Sequence, residues 1–237
     1  MNHLKSFPSI ILVETSHPGN IGATARAMKN MCLEKLILVR PQCDHLCSEA
    51  IARSSGAKEI LENAIVYDDL SKAIGRFTHT IALSHRKRTV PIKFHTTHDF
   101  FEEYNVNSDF CFIFGNEQSG LTNEDLDLCQ YQLMVDANPI HPSLNVASTV
   151  QIITYECYKQ SLKSKVENTS ASEPLPTADE VFHFQNHLAT TLESLDVLIP
   201  NNKTHTLRRL NRLFTRASPS QKDIALLRGI LTAIDKK

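Results

Sequence analysis

Hydrophobic positions along the first 160 residues alternate between two periods. Short apolar runs that read as buried strands cover residues 9–13, 35–39, 64–67, 78–83, 110–114 and 132–135. Between them, apolar residues recur at helical spacing over 20–31, 48–61 (with a break near Gly56), 69–74, 97–104 and 143–159. Thr122 with Asp125 three residues on marks one more helix start, Asp standing where a capping box usually has Glu or Gln. The 143–159 helix sets Val146, Val150, Ile153 and Cys157 along one face, and Ser143 is placed to cap it. Strands alternating with helices predict an α/β domain whose mostly parallel sheet is covered on both faces.

The pattern changes after Gln160. Residues 161–176 are polar, carry serines and prolines, and show no period, which predicts a linker. From Thr177 onward the chain reads as all helix, opening on a second capping-box signal, Thr177 with Glu180. Over 206–217, Leu207, Leu210, Leu213, Phe214 and Ala217 share one face, and Arg208, Arg209, Arg212 and Arg216 form an arc opposite. The last helix aligns Ile224, Leu227, Leu231 and Ile234. The expected organisation is a domain over 1–160, a linker over 161–176 and a small all-helical domain over 177–237.

Composition narrows the class. With 237 residues, 41% hydrophobic and 22% charged, the chain has an ordinary globular balance. No apolar run approaches the ~20 residues of a membrane span. Residues 1–6 lack a signal core, so a cytoplasmic protein with no membrane partner is expected. Six dispersed cysteines read as reduced thiols. Cys43-Asp44-His45-Leu46-Cys47 has no partner cluster to complete a four-ligand zinc site, so no metal is expected. The net charge of −1 hides two basic stretches free of acids. Residues 70–98 hold Lys72, Arg76, Arg86, Lys87, Arg88 and Lys93, and residues 197–222 hold Lys203, Arg208, Arg209, Arg212, Arg216 and Lys222. Local potential governs attraction of phosphate, so a nucleic-acid partner is compatible with the neutral total.

Three segments exceed what a plain α/β core needs. The first, Glu14-Thr15-Ser16-His17-Pro18-Gly19-Asn20-Ile21-Gly22-Ala23-Thr24-Ala25-Arg26, leaves a strand and opens a helix, where backbone N–H groups suit an anion. It is neither a dinucleotide fingerprint nor a P-loop. The second, Gly115-Asn116-Glu117-Gln118-Ser119-Gly120, ends a buried strand, and its two glycines allow a ligand to approach backbone. The third, Asn138-Pro139-Ile140-His141-Pro142-Ser143-Leu144-Asn145, is a proline-stiffened loop entering a helix.

In this order and spacing the three segments resemble the SPOUT superfamily of RNA methyltransferases, and within it the TrmJ family of tRNA (cytidine/uridine-2′-O)-methyltransferases. Leu12-Val13-Glu14-Thr15-Ser16-His17, Ser143-Leu144-Asn145, Leu213-Phe214-Thr215-Arg216-Ala217 and Leu227-Arg228-Gly229-Ile230-Leu231 carry the likeness over nearly the whole chain. The resemblance implies a trefoil knot at the C-terminal end of the α/β domain and a homodimer sharing its RNA site across the interface. It implies S-adenosylmethionine bound in the knotted loops by Leu83, Ser84, His85, Gly115, Glu117, Gly120, Val135, Ser143, Leu144 and Asn145. The implied substrate is tRNA, at cytidine or uridine 32 of the anticodon loop. Asn116 stands where some members carry Arg, which leaves open the RNA and bases accepted. A ribosomal-RNA 2′-O-methyltransferase and a non-catalytic RNA-binding protein of the same fold are the competing readings.

A ribose 2′-hydroxyl is a poor nucleophile at neutral pH, so such a site must align oxygen, methyl and sulfur and stabilise charge growing on oxygen. Arg26 is the candidate for that stabilisation, Asn20 for holding ribose or phosphate, and Ser143 with Asn145 for orienting the reacting groups. Arg86, Lys87 and Arg88, with Arg208, Arg209, Arg212 and Arg216, would grip the RNA backbone.

Overall fold

The computed structural model describes residues 7–84, 93–163, 174–198 and 203–236. The chain divides into two compact units, residues 1–168 and 169–237. In the first, seven strands form one sheet: β1 (Ser9–Val13), β2 (Leu36–Val39), β3 (Ile65–Tyr67), β4 (His79–Leu83), β5 (Lys93–Thr96), β6 (Phe110–Phe114) and β7 (Tyr131–Met134). Their order is β3-β2-β1-β6-β4-β7-β5. Every pairing is parallel, for instance Val13 opposite Val39 and Leu12 opposite Phe114. The central strands β1 and β6 are buried at every position, which is why their sequences run continuously apolar instead of alternating.

Among the described residues, seven helices accompany these strands: α1 (Pro18–Asn30), α2 (Ser48–Ser54), α3 (Lys58–Glu62), α4 (Leu70–Ile74), α5 (Thr97–Glu103), α6 (Asn123–Asp127) and α7 (Val146–Lys163). Pro18 opens α1 because its fixed φ suits the first helical position and its missing N–H costs nothing there. The helix therefore begins two residues before the expected Asn20. Helix α1 packs closely on α2 at Gly22, where a Cβ would lie 2.1 Å from the Ala50 carbonyl oxygen. The expected break near Gly56 is present: Ser55 and Gly56 both take positive φ, and α2 stops. Thr122 and Asp125 form a reciprocal capping box on α6.

Three features differ from the sequence expectations. Ser143 does not cap α7. Asn145 does, its Oδ1 accepting the Ala147 N–H at 2.9 Å, so the helix starts at Val146. At its other end α7 runs on to Lys163, since Ser161-Leu162-Lys163 contains no helix breaker. Strand β5 has no counterpart among the expected strands. Among the described residues, Lys93-Phe94-His95-Thr96 is a sheet edge paired only with β7, and its one large apolar side chain, Phe94, is exposed.

The second unit holds α8 (Ala178–Ser194), α9 (Lys203–Ala217) and α10 (Gln221–Asp235). Thr177 with Glu180 and Ser220 with Asp223 form capping boxes on α8 and α10. The core is small: Phe184, Leu188, Ile224 and Leu231 are buried, with Leu192, Leu210, Phe214 and Leu227 packed around them. Phe184 meets Phe214 edge-to-face at 4.8 Å. Among the described residues no helix is long and apolar enough to cross a membrane.

Candidate active site

Ligands of open parallel sheets bind outside the carboxyl ends of the strands, where the order of strands reverses. Here that edge lies at β1, β6, β4 and β7, four neighbours. The chain leaving them supplies the first motif, the second motif, Ser84 and the third motif. Phe114 ends β6 in the sheet interior, and Gly115 follows it under the returning backbone. A Cβ on Gly115 would lie 2.3 Å from Gly120 C and 2.3 Å from Leu121 N, so only glycine fits. Asn116 closes the loop. Its carbonyl accepts the Gly120 N–H at 2.8 Å and its Oδ1 accepts the Gln118 N–H at 2.9 Å. Its Nδ2 donates to the Glu14 carbonyl at 2.7 Å, tying the second motif to the first. Gly120 completes the turn at φ +69°.

Glu117, which follows Asn116, joins the second motif to the first and, through Asn20, to the third. Glu117 Oε2 accepts from the Ser16 N–H and Oγ, both at 3.1 Å, and Oε1 accepts from Asn20 Nδ2 at 2.9 Å. Asn20 Oδ1 in turn accepts from Asn145 Nδ2 at 3.0 Å. Burial pushes the Glu117 carboxyl up, but the hydrogen bonds from Asn20, the backbone and Ser16 outweigh it and hold the group below its ordinary range. An ionised Glu117 thus fixes the amide orientation of Asn20, and Asn20 fixes that of Asn145, which also caps α7.

Around this chain lies a cavity of about 300 Å³. Leu83, Ser84, Gly115, Glu117, Gly120, Val135, Ser143, Leu144 and Asn145 all line it, so nine of the ten residues expected at the cofactor meet in one place. The tenth, His85, lies outside the described residues, as do Arg86, Lys87 and Arg88. Phe114, Leu133 and Val146 add apolar wall. A second, more open groove runs between α1, α2 and α7, with His17, Asn20, Ala23, Arg53 and Gln151 on its sides. Asn145 lines both spaces, so the Asn145–Asn20 pair stands at their junction.

Arg26 is not brought to either space by this single chain. Because α1 begins at Pro18, Asn20 is already helical, and six residues at about 100° each leave Arg26 roughly 240° around the axis from it. Arg26 is exposed, and among the described residues its guanidinium makes no hydrogen bond or ion pair. The expected arginine face of α9 is also uneven. Arg209 and Arg216 are exposed, whereas Arg208 and Arg212 are half-buried and engaged within the fold. Leu213, expected on the apolar face, is exposed, and α9 buries no residue completely.

One cluster escaped the sequence pattern. Glu14 and Arg40 each follow a residue of the Val13–Val39 pair and both take left-handed backbone, φ +54° and +47°. That conformation costs a non-glycine residue about 1 kcal/mol. Arg40 Nε donates to Glu14 Oε1 at 2.8 Å, and Nη2 donates to Asp125 Oδ1 at 3.0 Å. The Asp125 side chain is 7% exposed. Nothing in the spacing of residues 14, 40 and 125 signals their meeting. All six cysteines are free, and no cluster that could hold a metal ion occurs among the described residues.

The comparisons with known proteins agree with this layout. The SpoU rRNA Methylase family matches residues 8–155, and the C-terminal domain of the tRNA methyltransferase TrmJ matches residues 179–237. The tRNA (cytidine/uridine/adenosine-2′-O-)-methyltransferase TrmJ of Pseudomonas aeruginosa (strain UCBPP-PA14) is 39% identical over 241 residues, covering 96% of this chain and 93% of its own. The crystal structure of TrmJ from Z. mobilis ZM4 superposes with a TM-score of 0.84 at 29% identity, covering 97% of this chain and all of that one. The SpoU methyltransferase AviRb from Streptomyces viridochromogenes, solved in complex with the cofactor AdoMet, shares the fold at 19% identity and a TM-score of 0.55, over 68% of this chain and 62% of that one.

Proposed function

We propose, from the premise that this chain belongs to the TrmJ family of SpoU methylases, that it transfers a methyl group from S-adenosylmethionine to a ribose 2′-hydroxyl of tRNA. The target is cytidine or uridine 32 of the anticodon loop, and the enzyme works as a cytoplasmic homodimer. The observation that carries the reading is the hydrogen-bonded run from Ser16 through Glu117 and Asn20 to Asn145, which joins three sequence-distant motifs beside a small-molecule cavity.

The cavity fits the cofactor. Its volume is at the lower end of the range for small-molecule sites, about 300–1,000 Å³. Backbone is open to a ligand at Gly115 and Gly120, and Leu83, Leu133 and Leu144 offer an apolar wall to an adenine ring. Glu117 sets a negative charge near the cavity, which favours a cationic ligand. S-adenosylmethionine supplies a methyl on sulfonium sulfur, whose departure needs no proton. A trefoil knot in the loops around it is supported by β7 lying between β4 and β5, two strands consecutive in the chain, while the chain beyond β7 returns to the cavity at residues 142–146.

The nucleotide enters through the groove. Asn145 and Asn20, at the junction of groove and cavity, hold the ribose against the methyl donor. Ser143, on the cavity rim, orients the reacting groups. Arg26 acts from the partner protomer. Its guanidinium stays protonated, so it stabilises the charge growing on the 2′-oxygen and holds the adjacent phosphate, and the hydroxyl proton passes to water or to a phosphate oxygen. The new O–CH₃ bond forms as the S–CH₃ bond breaks. The reading is tested by incubating unmodified tRNA with the full chain and S-adenosylmethionine, then digesting to nucleosides for mass analysis. The expected product is a ribose-methylated cytidine or uridine at position 32. Methylation of a base nitrogen, or of ribosomal RNA in preference to tRNA, would overturn it.

A further inference from the structure

The second-motif loop, residues 116–122, forms one side of the cavity and is anchored at both shoulders. At its start Asn116 Nδ2 hangs on the Glu14 carbonyl. At its end the Thr122 N–H and Oγ1 both donate to Asp125 Oδ2, at 3.2 and 2.9 Å. These anchors belong to different elements, the end of β1 and the first turn of α6. A single side chain from a third element joins them: Arg40, at the end of β2, donates to the Glu14 carboxylate and to Asp125 Oδ1. The Asp125 carboxylate is thereby divided, one oxygen to the loop and the other to Arg40. Glu14 carries its pairing in a left-handed conformation that also aims its carbonyl at Asn116. Arg40 itself does not line the cavity.

We propose that Arg40 is a positioning residue for the cofactor loop: one guanidinium clamps both shoulders of residues 116–122 and so sets the wall against which S-adenosylmethionine binds. The proposal rests on reading that cavity as the cofactor site. A planar fork suits the task, because its nitrogens reach two carboxylates at once in fixed directions, which an ammonium does not. Removing it leaves a nearly buried Asp125 and a strained Glu14 without their shared cation, and the loop loses its fixed spacing.

Calorimetric titration of S-adenosylmethionine into the full chain tests this. Arg40→Met is expected to raise Kd about tenfold, with kcat at saturating cofactor and the KM for tRNA within about twofold of the parent. Arg40→Lys, holding one carboxylate at a time, is expected to raise Kd about threefold. If Arg40 acts through the loop, Arg40→Met and Asn116→Ala affect one property, so the double variant binds no more than about twofold worse than the weaker single. A purely structural arginine would lower the unfolding midpoint and leave that coupling absent. An unmoved Kd in Arg40→Met, or penalties that multiply in the double variant, overturns the proposal. Should Arg40→Met not fold, Arg40→Lys and Glu14→Gln, each paired with Asn116→Ala, measure the same coupling. Failure of the unaltered chain to bind S-adenosylmethionine overturns the cofactor reading and this inference together. Binding by that chain with unmoved variants overturns only the role of Arg40.

Discussion

The motif loops of the first unit and helix α9 of the second solve opposite problems. In the loops, polar side chains spend their hydrogen bonds on one another: Glu117 on Ser16 and Asn20, Asn20 on Asn145, Asn116 on Glu14. Along α9, Arg209 and Arg216 stand in solvent, two turns apart and on one side of the helix. A site that must hold a reacting atom within a fraction of an ångström needs the first arrangement. A surface that only attracts phosphate needs the second, since screened charge tolerates loose geometry. Substitutions in the loops should therefore act singly and strongly on cofactor and rate. Those on α9 should act weakly, in sum, and through salt.

Arg26 is where this contrast is most exposed to failure, because it is as solvent-facing as the α9 arginines yet is assigned a role in the reaction. Arg26→Ala is expected to lower kcat about 100- to 1,000-fold while cofactor Kd stays within about twofold. If the guanidinium is supplied by the partner, as proposed, mixing Arg26→Ala with Asn145→Ala protomers should restore activity in the heterodimer, which keeps one intact composite site. A kcat within threefold of the parent would return Arg26 to the surface class. Gly115→Ala comes next. Its methyl would meet backbone on two sides, which cannot yield as a side chain would, and cofactor affinity is expected to fall about a hundredfold by calorimetry.

Much of this difference was legible in the sequence, for identifiable reasons. The buried strands announce themselves as unbroken apolar runs, and Thr122, Thr177 and their acidic partners announce helix starts. The three loops announce themselves by glycines and prolines that a core does not need. Strand β5 does not, since Lys93-Phe94-His95-Thr96 owes its state to hydrogen bonds from β7 and not to its own pattern. Arg40 is invisible for a related reason: its partners lie 26 and 85 residues away, and its backbone conformation is set by the sheet edge. Helical geometry separated Arg26 from Asn20 once Pro18 began the helix. On α9 an even arc of arginines could be drawn from spacing, but which of them face water depends on where α8 and α10 pack.

Glu117 sharpens the contrast through pH. Its carboxyl sits below the ordinary range, so the network it supports is fully formed above the unfolded value near 4.5 and is lost only as pH falls through the lower folded value. Cofactor affinity should be flat from neutral pH down to about pH 4.5 and fall only below that. Glu117→Gln, which turns one acceptor oxygen into a donor facing donors, should bind about tenfold more weakly at pH 7 and lose the acid decline. A retained decline would move the titration to another group.

The smallest effect expected is on α9, and it separates two kinds of arginine on one helix. Arg209→Ala with Arg216→Ala removes two exposed charges, so tRNA affinity at physiological salt should drop severalfold, and the slope of log K against log salt should shrink by about 1.5. The unfolding midpoint should not move, because neither side chain is packed. Arg208→Ala with Arg212→Ala removes the same charge from half-buried, engaged positions and should lower the midpoint as well. Neither pair should change cofactor Kd. If the exposed pair leaves the salt slope untouched, α9 does not carry the phosphate grip, and the basic stretch of residues 70–98 must account for the salt dependence alone.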